Sequence, residues 1–134
     1  YVFQLIREGR LELSREIGRK VTFHDPCYLG RHNGVYDEPR EALKAVPGLE
    51  LAEMPDCLDD SLCCGGGGGR IWMETVMGER FSDLRLEQAR EIGAQVLATS
   101  CPYCITNFED SRINLEMEES IQIRDITEII AEAI

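Results

Sequence analysis

Basic residues are scarce in this chain: 14 lysines and arginines stand against 25 aspartates and glutamates, for a formal net charge of −11. So acidic a molecule repels phosphate backbones and anionic lipid headgroups, which argues against nucleic acid and charged membrane surfaces as partners. Long apolar runs are missing as well. No stretch of 18 apolar residues, basic leader or apolar signal core occurs, so no part of the sequence is expected to insert into a membrane. Nucleotide-binding glycine motifs also fail, although a glycine run is present. Gly65 to Gly69 exits into Arg70-Ile71, where a P-loop needs Lys followed by Ser or Thr, and Gly-x-Gly-x-x-Gly lands on Arg70 or Ile71. The first residue is Tyr1 and not Met, as expected for a piece of a longer protein.

Cysteine is what the chain does have. Five of its six fall in an ordered pattern: Cys27 alone, the adjacent pair Cys63 and Cys64 running into the glycines, and Cys101-Pro102-Tyr103-Cys104. Thiolates repel one another, and each costs free energy to deprotonate, so a gathering of five calls for a cation or cluster. The strong helix and strand periodicity argues against a secreted disulfide scaffold, and a reducing cytoplasm is expected.

With 134 residues and 43% apolar content the chain is expected to bury one core. Residues 20–134 should form that domain, while residues 1–19, interrupted by Gly9, are read as a segment that packs on a neighbouring domain. Strands are expected at Lys20 to His24, Leu49 to Met54, Gln95 to Thr99 and Ile121 to Arg124. Helices are expected from Glu38 to Val46, from Pro102 to about Leu115, and after Asp125 as N-cap. The apolar positions Ile71, Met73, Val76, Met77, Phe81, Leu84, Leu86 and Ile92 predict one long helix from Arg70 to Ile92, or two broken at Gly78, closed by Gly93. The alternation predicts an α/β, Rossmann-like three-layer fold with a mostly parallel sheet of about four strands and right-handed crossovers. On that scheme Cys27, Cys63-Cys64 and Cys101 all follow strands and share the carboxyl edge of the sheet, where such folds bind ligands.

Three chemistries compete for these residues. A structural zinc site could draw on Cys27, one of the pair, Cys101 and Cys104, but adjacent cysteines seldom both reach one tetrahedral ion. A dithiol oxidoreductase could use Cys101 and Cys104, yet it would leave Cys27, Cys63 and Cys64 without a role. An iron-sulfur centre employs all five, with Gly65, Gly66 and Gly67 allowing close backbone approach. Beside it, His24 is read as a satisfied polar group at the strand end, or else as a residue that orients the Cys27 loop or touches the cluster, His32 as a proton donor or a surface residue, and Cys57 as a free thiol. Arg31 and Arg70 are the candidate basic neighbours. The C-terminal stretch 105–134 carries eight acids against Arg112 and Arg124, read as a solvated face or a docking patch for a redox partner.

The segments His24-Asp25-Pro26-Cys27-Tyr28-Leu29-Gly30-Arg31, Cys63-Cys64-Gly65 and Ser100-Cys101-Pro102-Tyr103-Cys104 together resemble the cysteine-rich CCG domain of the heterodisulfide reductase family, as found in its B and D components. The Gly30-Arg31-His32-Asn33-Gly34 continuation is most similar to the second, C-terminal CCG domain of the D-type Fe-S oxidoreductases. The resemblance implies that Cys27, Cys63, Cys64, Cys101 and Cys104 hold a [4Fe-4S]-type centre, noncubane in heterodisulfide reductase itself. It implies electron relay, with disulfide reduction at the cluster in some members, and partners that include a second CCG domain, a ferredoxin-like domain and a flavoprotein or quinone-linked redox protein. Cys57 departs from the family pattern.

Overall fold

The computed structural model describes residues 1–74 and 80–134. Its elements run α1 (Val2–Arg7), β1 (Lys20–Phe23), α2 (Asp37–Lys44), β2 (Glu50–Leu51), α3 (Phe81–Glu91), β3 (Val96–Thr99), α4 (Pro102–Asn114), β4 (Gln122–Asp125) and α5 (Ile126–Glu132), with short 3-10 turns at Leu58–Asp60 and Arg70–Trp72. The strands form one sheet in the order β2-β1-β3-β4, every pair parallel. Val21 pairs with Val96 and Phe23 with Ala98, which places the ends of β1 and β3 side by side.

Side-chain alternation along these strands builds two cores. Val21, Phe23, Val96 and Ala98 face one way, against Ala42 and Leu43 of α2 and Ile126, Ile129 and Ile130 of α5. Leu97 and Ile123 face the other way, against Leu86 and Ala89 of α3 and Cys104 and Phe108 of α4. The result is the three-layer α/β sandwich that the strand-helix alternation predicts. Val2, Phe3, Ile6, Leu11 and Leu13 of the first nineteen residues are partly buried against the first of these cores.

Topology decides where a site can form. The chain moves outward from β1 to β2, then returns across β1 to place β3 on its other side. That reversal leaves a crevice beyond the carboxyl ends of β1 and β3, the position at which parallel α/β sheets bind ligands. Cys27 and Cys101 follow these two strands.

Local caps agree with the sequence. Asp125 accepts from Thr127 N at 2.8 Å while Glu128 accepts from Asp125 N at 2.9 Å, a complete capping box on α5. Pro102 occupies the first turn of α4, and Gly93, at φ +70°, ends α3.

Two expectations need correction. The second strand is two residues long, not six: Met54 turns into the second core, and Pro55 follows it. The stretch from Arg70 to Ile92 is also not built as its apolar spacing suggests. Arg70–Trp72 is a 3-10 turn, with Trp72 and Met73 exposed, and α3 begins only at Phe81. Val76, Met77 and the break at Gly78 lie outside the described residues. Within α3 the buried positions are Ser82, Asp83, Arg85, Leu86 and Ala89, whereas Phe81 and Leu84 are exposed. The helix is therefore rotated from the face that a count of apolar residues selects, and it carries a charged residue inward.

Candidate metal centre

The loop after β1 is held from below by a buried ionic network. The Asp25 carboxylate takes a two-pronged bond from the Arg40 guanidinium, at 2.7 and 2.8 Å, and a third bond from Leu58 N at 2.9 Å. Arg40 also donates to Glu53 at 2.8 and 3.0 Å. Burial by itself would lower the Arg40 pKa, but its bonds to Asp25 and Glu53 outweigh burial and raise it. Leu58 sits at φ +59°, a costly conformation for an aliphatic residue, and its N–H to Asp25 is part of what holds it there. The network ties three segments together: the start of the Cys27 loop, helix α2, and the loop that leads to Cys63.

Above this base the thiols meet. His24, Cys64 and Cys104 place one ligand atom each within 4.8 Å of one another, all three buried. The Cys63 and Cys64 thiols are close enough to perturb each other, as are those of Cys64 and Cys104, so three sulfurs form a continuous group. Gly65 N and Gly66 N donate to the sulfurs of Cys63 and Cys64 at 3.3 and 3.4 Å. Gly65 adopts φ +82°, which lets the chain double back so that these N–H groups point at sulfur. Gly67 instead offers its carbonyl to Arg70 N at 3.1 Å. Asn107, one turn beyond Cys104 on α4, donates to the Cys64 carbonyl and accepts from Arg80 at 3.2 Å, pinning the Cys-Cys turn to that helix.

Cys27 and Cys101 are half-buried and lie outside the tight grouping. Cys27 lines a small crevice together with Cys63, Arg31, Ser61 and Asp25. Cys101 is the N-cap residue of α4, three residues before Cys104. Of the two candidate basic neighbours, Arg31 bridges the loops by donating to the Ser61 carbonyl at 2.8 Å, and its charge acts on the Cys63 thiol. Arg70 lies over the Phe81 ring, 5.6 Å from its centroid. His32 packs beside Tyr28, with ring centroids 5.3 Å apart. Cys57 sits among Glu53, Arg40, Asp25 and Arg85, away from the other thiols, and burial raises its pKa.

Electrostatics favour the neutral forms of Cys63, Cys64 and His24. The hydrogen bond from Cys64 and burial push the Cys63 thiol up, while the bond to Cys104 pushes Cys64 up to about 12. Burial, reinforced by the Arg85 charge, takes His24 down to about 3. The neutral ring packs edge-on against Phe108, 4.7 Å between centroids. Soft sulfurs such as those of Cys63 and Cys64, which resist ionising alone and already have N–H donors, suit a cation that displaces the thiol protons.

Two residues here escaped the sequence reading. Arg85 is 0% exposed and donates from Nε to His24 Nδ1 at 3.3 Å. Its signal was its place at i+3 from Ser82, beside Leu86 and four before Ala89, on a face of small and apolar residues. Asn107 carried a weaker signal, a polar residue three beyond Cys104 in a helix.

A parallel α/β domain with a thiol cluster at its topological switch point belongs to the metal-binding, redox class of such folds. The profile of the cysteine-rich CCG domain matches residues 21–109, and the chain belongs to that family. It is 41% identical over 98% of its length to the probable iron-sulfur-binding oxidoreductase FadF of Bacillus subtilis (strain 168), covering 19% of that protein. It is 39% identical over 97% of its length to the EtfAB:quinone oxidoreductase of Syntrophomonas wolfei, covering 19% of it. With the D component of the dihydromethanophenazine:CoB–CoM heterodisulfide reductase of Methanosarcina barkeri it shares 34% over its whole length, covering 32% of that polypeptide. The chain thus spans about a fifth to a third of these relatives, which are iron-sulfur and quinone- or disulfide-linked oxidoreductases. No helix among the described residues is long and apolar enough to cross a membrane.

Proposed function

We propose that this chain is the electron-transfer domain of a larger iron-sulfur oxidoreductase, with Cys27, Cys63, Cys64, Cys101 and Cys104 as the ligands of a [4Fe-4S]-type centre. The observation that carries the reading is the grouping of the Cys63, Cys64 and Cys104 sulfurs, with Gly65 and Gly66 N–H groups aimed at two of them. Such a centre supplies one-electron transfer. The chain's own residues do the rest. Gly65 and Gly66 stabilise negative sulfur, Asn107 fixes the Cys-Cys turn, and the Asp25–Arg40 pair sets the loop that carries Cys27. Phe108 and the second core exclude water from the inner side.

Several features of the whole protein follow as proposals. By its resemblance to the D-type Fe-S oxidoreductases, further domains include a second CCG unit and a ferredoxin-like domain, and the electron donor or acceptor is a flavoprotein or quinone-linked partner. Residues 20–134 form the CCG unit, and residues 1–19 pack on a neighbouring domain of a longer protein. The protein works in the cytoplasm or at the cytoplasmic face of a membrane through those other domains.

The ligand set is tested by Cys27→Ser, Cys64→Ser and Cys104→Ser, each expected to abolish cluster incorporation, against Cys57→Ser, expected to retain it. Iron content equal to that of the unaltered protein in all three ligand variants would overturn the assignment.

A further inference from the structure

Arg85 is the bulkiest fully buried side chain among the described residues, and its hydrogen bonds go to neutral partners. Nε donates to His24 Nδ1 at 3.3 Å, Nη1 to Gln88 Oε1 at 2.6 Å, and Nη2 to Ser61 Oγ at 3.3 Å. Among the described residues no carboxylate lies within ion-pair distance of it. The anions around it act only through space: Asp25, which binds Arg40, and Asp56, which accepts from Gln88, both oppose the effect of burial, as does Glu53. Burial lowers its pKa to about 10, which leaves it a cation at neutral pH. A buried cation without a bonded counter-ion is expensive, several kcal/mol in real proteins. That leaves room for a closer negative group on the His24 side of the guanidinium.

The bond to His24 is directional. A guanidinium nitrogen only donates, so His24 Nδ1 must offer a bare lone pair, and a neutral ring then carries its proton on Nε2. His24 in turn belongs to the grouping with the Cys64 and Cys104 sulfurs. With Nδ1 occupied by Arg85 and Nε2 protonated, neither nitrogen is free to bind a metal. Cysteine ligands that lose their protons to a metal become negative, and they add to the counter-charge that Asp25, Asp56 and Glu53 supply to Arg85.

Resting on the iron-sulfur reading above, we propose that Arg85 is the counter-charge of the thiolate centre and the group that orients His24, so that His24 is a hydrogen-bond donor to cluster sulfur and not a ligand. Arg85 acts through His24 and through its field. It is a positioning residue that raises the reduction potential, because a fixed positive charge favours the more negative, reduced state.

The test uses the intact protein, purified without oxygen. Arg85→Gln should keep iron and sulfide at unaltered levels while the one-electron reduction equilibrium constant falls about tenfold, which is about 59 mV more negative. Arg85→Lys should restore most of that loss, since it returns the charge. His24→Gln should retain iron. In the unaltered protein, electron-nuclear double resonance should show an exchangeable proton near the cluster and no strongly coupled imidazole nitrogen. An unchanged potential in iron-loaded Arg85→Gln, a directly bound nitrogen, or iron loss in His24→Gln overturns the proposal. If Arg85→Gln does not fold, the spectrum of the unaltered protein decides. If the unaltered protein carries no iron and sulfide, the iron-sulfur reading fails by itself. Ring-nitrogen NMR then decides the His24 bond: Nε2–H supports it, Nδ1–H refutes it.

Discussion

Replacing Arg40 with methionine should cost the fold about 3–5 kcal/mol, because it breaks a buried ion pair from one side only. The Arg40 and Asp25 side chains are 7% and 2% exposed, and methionine would leave Asp25 with the single N–H of Leu58 as partner. Glu53, 39% exposed, can turn to water and adds little to the loss. A domain of this size has on the order of 7–20 kcal/mol of stability, so the substitution removes a large fraction of it. The melting temperature should fall by roughly 10–20 °C, at about 4 °C per kcal/mol. The assay is urea unfolding of the reduced, metal-free chain, followed by far-UV circular dichroism. Trp72 is 87% exposed and would report poorly by fluorescence. Pairing Arg40→Met with Asp25→Asn should recover part of the loss, since the stranded charge is then gone. A loss under about 1 kcal/mol for Arg40→Met alone would refute the view that this pair anchors the Cys27 loop.

Three further outcomes are expected. Asn107→Leu leaves the buried Cys64 carbonyl without its donor and should cost about 1–3 kcal/mol, with faster loss of iron to a chelator. Asp125→Ala removes the α5 capping box and should cost about 1 kcal/mol in the same urea assay, with the iron content of the intact protein unchanged. Oxidation of the metal-free protein in air should join Cys64 to Cys104, whose ligand atoms already lie within 4.8 Å, and peptide mapping by mass spectrometry should find that link in preference to Cys101–Cys104. The sheet, packed on two apolar cores, should keep its circular dichroism through this treatment.

The strand-helix order was legible because each element announces itself locally: Pro102 opens α4, Asp125 caps α5, and Gly93 ends α3. The parallel sheet followed from that alternation, and with it the expectation that the cysteine loops share one edge. Helix α3 was misread because its inward face, Ser82, Arg85, Leu86 and Ala89, is mixed in polarity, while Phe81 and Leu84 look apolar yet stay exposed. A rule that sends apolar residues inward cannot see a cation buried for electrostatic reasons, so Arg85 stayed hidden. Arg70 was chosen for its nearness in sequence to Cys64, but it lies over Phe81, whereas Arg31 reaches the Ser61 carbonyl beside Cys63. The Asp25–Arg40–Glu53 network joins residues 13 and 15 positions apart, and only the parallel pairing of β1 with β2 brings them together.

Metal and sulfide analysis of the intact protein, purified without oxygen, decides whether these cysteines hold an iron-sulfur centre. Iron and acid-labile sulfide should be present in roughly equal amounts, beyond what the protein's other cluster-binding sequences hold, and both should fall in step with Cys64→Ser. Zinc at about one per chain without sulfide, lost on the same substitution, would contradict the iron-sulfur reading and make the site a structural one.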